Sequence, residues 1–460
     1  MAKTSPVIKI TLLSSLLAAS IFPVLQPSNV SANSAAPDLT EIAGIVQPLI
    51  DNAWADGIRV SVGIEDLSGA YGDEGILLGN DTAYKPASTI KMALVSALMQ
   101  QVDNGILKLS DTVIVEPSDV VGGTGSLQKE SFPQDVTLDR LARLMITQSD
   151  NTATNVLIDV VGLDKVQALV DQLDLEVMHL GRKMFASAPT PEQDNYINAK
   201  DLVTLLGDIY DGSFLTTKSR NQIIAWMGAQ EVNTKFGTAL PDAPIAHKTG
   251  ENANVTHDAG YFLLPGRELA ISVMTEVTTT DDFDQAQALG NPVVQQIAKT
   301  VYNQLLADNA ADAGKPVTRA EFTSLLAREL GLKSSQQGQA FSDVVQNSPY
   351  SDHILAAREA GIVNGLSGNR FSGDTTITKA EMTTMFIRAY EFVHGTVNPG
   401  ISEVPYTDHP QLPSWAKESV LKAASLKKIT GYSDGSFQPL VQAKYSDGVE
   451  LLSGLWILSE

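Results

Sequence analysis

Apolar Val60, Val62 and Ile64 alternate with Ser61, Gly63 and Glu65 across residues 58–67, which is the period of a β-strand with two unlike faces. A Ser68-Gly69 turn signal and a second short apolar run at residues 76–78 complete a hairpin that opens an antiparallel sheet. The period then changes. Leu94, Leu98 and Val102 recur at helical spacing over residues 88–102, and Asn104-Gly105 supplies the stop. Further helices are expected at residues 138–146, 152–161, 163–173 and 199–209. Strands return at residues 245–249, 259–264 and 269–275, and an amphipathic helix at residues 293–306 lies back on them. Strands at both ends of a helical block predict an α+β domain whose sheet is built from both termini.

Residues 307–315 are small and polar and mark a boundary, which gives domains at residues 33–308 and 309–460. Beyond it the chain repeats itself. Thr318-Arg319-Ala320-Glu321 recurs as Thr378-Lys379-Ala380-Glu381, Phe341-Ser342-Asp343 as Tyr406-Thr407-Asp408, and residues 365–371 as residues 431–437. Recurrence at such periods predicts stacked, all-α units that share a core. These residues resemble the surface-layer homology (SLH) module over residues 316–455. The first repeat keeps only its Thr-Arg-Ala-Glu helix, and the last replaces that motif with Tyr445-Ser446-Asp447-Gly448. The resemblance implies a cell-wall polymer as partner. It makes Arg319 and Lys379 the cations for an anionic, carboxylate-bearing glycan, against the alternative that both are solvated surface charges.

The N-terminus reads as an address. Lys3 and Lys9 flank an apolar run from Leu12 to Leu25 that Pro23 interrupts, and Val30-Ser31-Ala32 offers a peptidase site, so residues 1–32 are expected to be a signal peptide. No later stretch reaches about 18 uninterrupted apolar residues, so the expected product is secreted to the cell surface or wall and not transmembrane. A formal charge of −21 repels nucleic acid. With no cysteine, disulfides, thiolate metal sites and cysteine catalysis are excluded. The six histidines show no ligand spacing, and no metal or other cofactor is expected. His247 is expected to be structural, pointing to the sheet face opposite Lys248.

Ser-x-x-Lys occurs five times, at Ser88, Ser126, Ser414, Ser419 and Ser425. Only Ser88-Thr89-Ile90-Lys91 opens a strongly helical segment preceded by a strand pair. Residues three apart share a helix face, so Lys91 lies one turn above the Ser88 hydroxyl. Burial and the helix dipole would keep the amine neutral and able to take the serine proton. Ser149-Asp150-Asn151 follows at the head of a helix, and Lys248-Thr249-Gly250 follows in a strand.

In that order the three motifs resemble the signature of class A β-lactamases and penicillin-binding proteins. The resemblance spans residues 40–306 and implies a β-lactamase/transpeptidase-like fold, an antiparallel sheet with helices on both sides plus a helical block. It makes Ser88 the nucleophile, with its N–H and that of Glu251 as the oxyanion hole. Ser149 relays a proton to the leaving nitrogen, Lys248 with Thr249 holds the substrate carboxylate, Gly250 belongs to the same substrate-binding strand, and Asn151 meets the substrate's side-chain amide. The substrate implied is a β-lactam or a peptidoglycan peptide.

The chain departs from that pattern in one place. Class A enzymes hydrolyse the acyl-enzyme with a glutamate in a Glu-x-x-Leu-Asn motif, which is missing here; after Leu180 the chain runs Gly181-Arg182-Lys183-Met184-Phe185-Ala186, with Met184 about where the base belongs. Glu192 or Asp194 would have to substitute. The expected function is a wall-anchored serine β-lactamase acting through a Ser88 acyl-enzyme. The alternatives are a D-Ala-D-Ala peptidase-like or non-deacylating penicillin binder and, in another class, a non-catalytic glycan-binding surface protein.

Overall fold

Strand β1 (Ile58–Asp66) forms where the alternation predicts it, but its polar phase does not face water. Ser61 and Gly63 are buried, because helices cover both faces of the sheet. Gly63 lies so close to a helix that a Cβ there would come within 2.7 Å of the Ala199 carbonyl. This is a computed structural model, and it describes residues 38–72, 75–335, 341–346, 348, 350–453 and 455. The expected signal peptide lies outside the described residues.

β2 (Ile76–Leu78) pairs with β1, and β3 (Thr112–Val115) pairs with β4 (Gln134–Thr137) as a separate ribbon. The main sheet is completed by β5 (Ile245–Asn252), β6 (Val255–Phe262) and β7 (Leu269–Val277), all antiparallel in the order β2-β1-β7-β6-β5. β6 is buried throughout and β7 almost so, which is the pattern of strands covered on both faces. Strands from both ends of the domain thus meet in one sheet, as the sequence predicts, and β5 is left at an edge.

One face carries α1 (Leu39–Ala55) and the long C-terminal helix of the domain; the sequence reading makes no provision for α1. The other face carries the helical block: α2 (Lys91–Asp103), α3 (Leu138–Thr147), α4 (Asn151–Val161), α5 (Leu163–Gln172), α6 (Ala199–Asp211) and α7 (Thr217–Gly228); the short α8 (Phe236–Ala239) lies beside β5 on the face of α1, with Phe236 in that core. α9 runs Phe283–Asp312, so the expected linker at residues 307–315 is helical for most of its length. The short polar residues there continue the helix because Asp308 receives the Tyr71 hydroxyl and Asp312 receives Arg267, both from the sheet domain.

The repeats form α10 (Arg319–Glu329), α11 (Ser351–Glu359), α12 (Lys379–His394), α13 (Lys417–Ser425) and α14 (Tyr445–Leu452). The recurring motifs recur as physics. Thr318 and Thr378 each close a capping box with a glutamate three residues on. Asp343 accepts from the N–H groups of Phe371 and Ser372, and Asp408 from those of Phe437 and Gln438. Phe341 stacks on Phe371 and Tyr406 on Phe437 at 5.2 and 5.3 Å. At the heads of α10, α12 and α14 the N–H of Val317 donates to Ala443, that of Ala443 to Ile377 and that of Ile377 to Val317, closing a three-membered ring of backbone hydrogen bonds. The last unit keeps this ring although it has lost the motif. Among the described residues, no helix is long and apolar enough to cross a membrane.

Candidate active site

Ser88 does not open α2 directly. It sits in a tight 3₁₀ turn, Ala87–Ile90, from which α2 continues at Lys91. Ala87 adopts φ 47°, a left-handed conformation that costs a non-glycine residue about 1–3 kcal/mol and persists only where the surroundings enforce it. The enforcement is visible. Pro86 accepts from both the N–H and the hydroxyl of Thr89, and the Lys85 carbonyl accepts from Nε2 of His257 at 2.9 Å. His257 Nδ1 in turn accepts from the Thr275 N–H, which fixes its tautomer, and burial pulls its pKa down to about 4. This histidine ties β6 and β7 to the segment that presents Ser88, a role that no spacing in the sequence signals.

Ser149 is strained as well, at φ 57°. The turn directs its carbonyl toward two donors, Lys91 Nζ at 2.7 Å and the Thr124 hydroxyl at 2.6 Å. Asp150 caps α4 through the Ala153 N–H and also accepts from the Leu127 N–H, so the Gly-rich loop before Leu127 is fastened to the same turn. Gly125 is required there, since a Cβ would overlap the Asp150 carboxylate.

The three motifs converge. Lys91 Nζ, fully buried, lies 3.2 Å from Ser149 Oγ and 3.0 Å from Asn151 Oδ1, while Lys248 Nζ approaches Ser149 Oγ from the other side at 3.1 Å. One hydroxyl therefore sits between two lysines. Burial, and then the charge of Lys248, hold the Lys91 pKa well below its usual range, outweighing Asp150. Burial pulls Lys248 down to about 7, with Asp258 opposing and Lys235 assisting. A neutral Lys91 can donate to the Ser149 carbonyl and to Asn151 and still accept the Ser149 proton.

β5 brings Thr249 and Glu251 to the same place. Gly250 packs against the Ser88 turn, where a Cβ would stand 3.0 Å from the Pro86 carbonyl oxygen. The Glu251 side chain pairs with Lys235, a fully buried lysine that the sequence reading did not single out because it belongs to no motif. His247, on the alternate face of β5, is buried against Asp258 at 2.8 Å, and Asp258 also takes the Phe236 N–H. Ser88, Ser149, Asn151, Thr249 and Glu251 all line one cavity of about 470 Å³. Among the described residues none hydrogen-bonds the Ser88 hydroxyl, which Lys91 was expected to meet directly.

Two expectations change. Glu192 does not line this cavity; it is fully exposed in a 3₁₀ turn, Pro191–Gln193, and its carboxylate bonds within that turn. Asp194 is occupied by Lys85 and by Arg182. The loop lines the cavity with Arg182, Met184, Phe185 and Ala186 instead; the Met184 N–H donates to Asn155 Oδ1 at 2.8 Å and its carbonyl accepts from Asn155 Nδ2 at 3.2 Å. The two cations of the repeats are not freely solvated either. Arg319 donates to the Asn364 carbonyl and covers the Phe371 ring, and Lys379 covers Tyr432 and pairs with Asp447 at 3.2 Å.

Residues 42–305 match the Beta-lactamase enzyme family, and residues 340–383 and 405–443 match the S-layer homology domain. Among solved structures, a β-lactamase from Sphaerobacter thermophilus superimposes with a TM-score of 0.52 at 27% identity, covering 59% of this chain and 98% of that one. PBP-A does so at 0.52 and 26%, with the same coverage; a variant of PBP-A has been solved as its acyl-enzyme with penicillin G. Exoglucanase XynX of Acetivibrio thermocellus is 30% identical over 207 residues, 45% of this chain, which spans only 19% of that relative's length. With the family match covering more than half of its length, and with the three motifs gathered on one cavity, this chain belongs to the Beta-lactamase enzyme family and carries S-layer homology domains after it.

Proposed function

We propose that the protein is a secreted, wall-anchored serine hydrolase of the class A β-lactamase type that is acylated by β-lactams at Ser88 and releases the acyl group slowly. The observation that carries this reading is the Lys91-Ser149-Lys248 chain beside Ser88. The Ser88 oxygen bonds to the lactam carbonyl carbon while its proton passes to the neutral Lys91 amine. The carbonyl oxygen becomes an oxyanion, received by the N–H groups of Ser88 and Glu251. When the carbonyl re-forms, the lactam C–N bond breaks, and the nitrogen takes a proton from Ser149, which Lys91 replaces. Lys248 and Thr249 hold the substrate carboxylate, with Gly250 letting β5 approach, and Asn151 orients the side-chain amide. Hydrolysis of the ester then needs a base for water, and Met184 offers none.

That last observation also supports a second reading within the same chemistry, a penicillin-binding peptidase that processes D-Ala-D-Ala-type peptides. Incubation with penicillin followed by intact mass separates the outcomes. One adduct on Ser88 that persists for hours, with a chromogenic cephalosporin giving a burst and no steady state, is expected. Rapid return to the free mass rejects slow release, and no adduct rejects the nucleophile.

The charge on Lys248 sets a pH limb. Its ammonium is present below its pKa and is lost as pH rises through about 7, and an anionic penicillin needs it, so acylation kcat/KM is expected to fall above about pH 7. In Lys248→Arg the cation stays charged across the accessible range, and that limb should vanish. An identical limb in both proteins would assign it to another group.

At the wall, we assign polymer binding to Arg319 and Lys379. A charge-assisted hydrogen bond contributes about 1.5–3 kcal/mol, so pelleting of the Arg319→Ala/Lys379→Ala chain with purified sacculi should weaken by roughly 100-fold or more. Unchanged pelleting would remove both residues from the binding surface.

A further inference from the structure

The repeats pack against the catalytic module at one end of its sheet, and the cavity lies toward the other. In the register of the sheet, Asn252 pairs with Val255 at one end of the β5–β6 pair, and Ile245 pairs with Phe262 at the opposite end. Glu251 and Asn252 line the cavity. The opposite end is covered by the repeats. Arg328, at the end of α10, reaches the Leu67 carbonyl just beyond β1 and lies over Gly69. Tyr445, heading α14, donates to the Gly266 carbonyl at 2.8 Å in the β6–β7 turn, where a Cβ on Gly266 would overlap its hydroxyl.

Two helices repeat this polarity. α9 starts with Phe283 in the cavity wall and ends with Asp312 holding Arg267 and Lys315 beside the repeats. Its 30 residues make it about 45 Å long. α7 is followed by Val232 in the cavity wall, whereas Arg220 near its start is buried and donates to the Glu329 carbonyl of α10. Arg319 heads α10, whose other end makes these contacts, and Lys379 pairs with Asp447 of α14. Buried Arg267, Glu268 and Glu329 mark this as a packed junction rather than a loose tether.

We infer that the repeats hold the catalytic module with its cavity turned away from the wall polymer they grip. An anchored molecule then serves diffusible acyl compounds arriving from outside, not the cross-linked wall beneath it. This rests on the reading of Ser88 as nucleophile and of the repeats as wall-binding, and it extends both by naming the substrate class.

The chain has no cysteine, so Phe283→Cys, at a half-exposed position on the cavity mouth, carries the only thiol. Its reaction with a large polyethylene-glycol maleimide is measured on the full chain, free and bound to sacculi. The inference expects rates within about twofold of each other, and a fall of about tenfold or more on the sacculi overturns it, because thiol modification follows access. In the unsubstituted protein, penicillin coupled to dextran should label bound and free molecules alike, and labelling lost only on the sacculi also overturns it. Absence of labelling in free solution instead counts against Ser88, while the thiol rates still decide the orientation.

Discussion

Lys91→Met is expected to slow acylation of Ser88 by penicillin by about 10³-fold while leaving the fold in place. The magnitude follows from the role: a positioned base contributes about 10²–10⁴-fold to a proton transfer. Methionine is close to lysine in volume and replaces a buried amine with an apolar thioether, so it removes the proton acceptor without opening a cavity. Its cost is local. The Ser149 carbonyl keeps the Thr124 hydroxyl at 2.6 Å, and Asn151 keeps its own donor bonds to Gly122 and Thr124. The reference is Ser88→Ala, which should take no label at all. Stopped-flow acylation with a fluorescent penicillin, beside a thermal melt of each variant, checks the prediction. A Lys91→Met protein that melts normally and acylates at the wild-type rate would transfer the base role elsewhere, and Ser149 flanked by Lys248 would be the remaining candidate.

The sequence carried most of this site, for a physical reason. Ser88, Lys91, Ser149 and Lys248 lie in short motifs whose geometry is local, a helix turn or a strand, so their spacing predicts their disposition. The global step, that these motifs meet, is what the resemblance to class A β-lactamases and penicillin-binding proteins implies; no spacing along the chain states it. What was not legible depends on contacts between distant segments. Lys235 reaches Glu251 from a loop, His257 reaches back to Lys85, and Asn155 holds Met184, each across a fold boundary that no periodicity marks. The position of Met184 could be placed only approximately by counting along the loop; the pair of hydrogen bonds from Asn155 fixes it. Glu192 looked available because a carboxylate eight residues further on can fold inward, but the 3₁₀ turn directs it to water.

The same contrast appears in the repeats. The capping threonines and aspartates were legible because each acts within its own unit. The closed ring of Val317, Ala443 and Ile377 was not, since it joins three units at once and uses only backbone groups, which leave no residue signature. It also accounts for the survival of the last unit without its motif: the hydrogen bonds that seat α14 do not depend on the side chains that changed.

Met184→Glu is expected to raise hydrolysis of the penicillin ester by about 10²–10³-fold and to convert a stalled acyl-enzyme into a turning-over β-lactamase. The reasoning is geometric. Asn155 holds the backbone of residue 184 through both its N–H and its carbonyl, so a substituted side chain inherits the direction of Met184, which lines the cavity that contains Ser88. Glutamate has one branch more but a similar reach, and a general base of this kind is worth about 10²–10⁴-fold. The substitution carries a cost, because Met184 is partly buried against the core of the helical block. A carboxylate there keeps the neighbourhood of Lys91, whose charged form it would favour, so some loss in the acylation rate is expected alongside the gain in hydrolysis. Intact mass resolves the two steps: the adduct should form more slowly, then disappear within minutes instead of persisting. If Met184→Glu forms the adduct and keeps it as long as the wild type does, the missing base is not what limits release. The obstacle would then be the position of water in the cavity, and a second substitution at Phe185, the exposed ring beside Gly123 at the cavity wall, would be the next place to look.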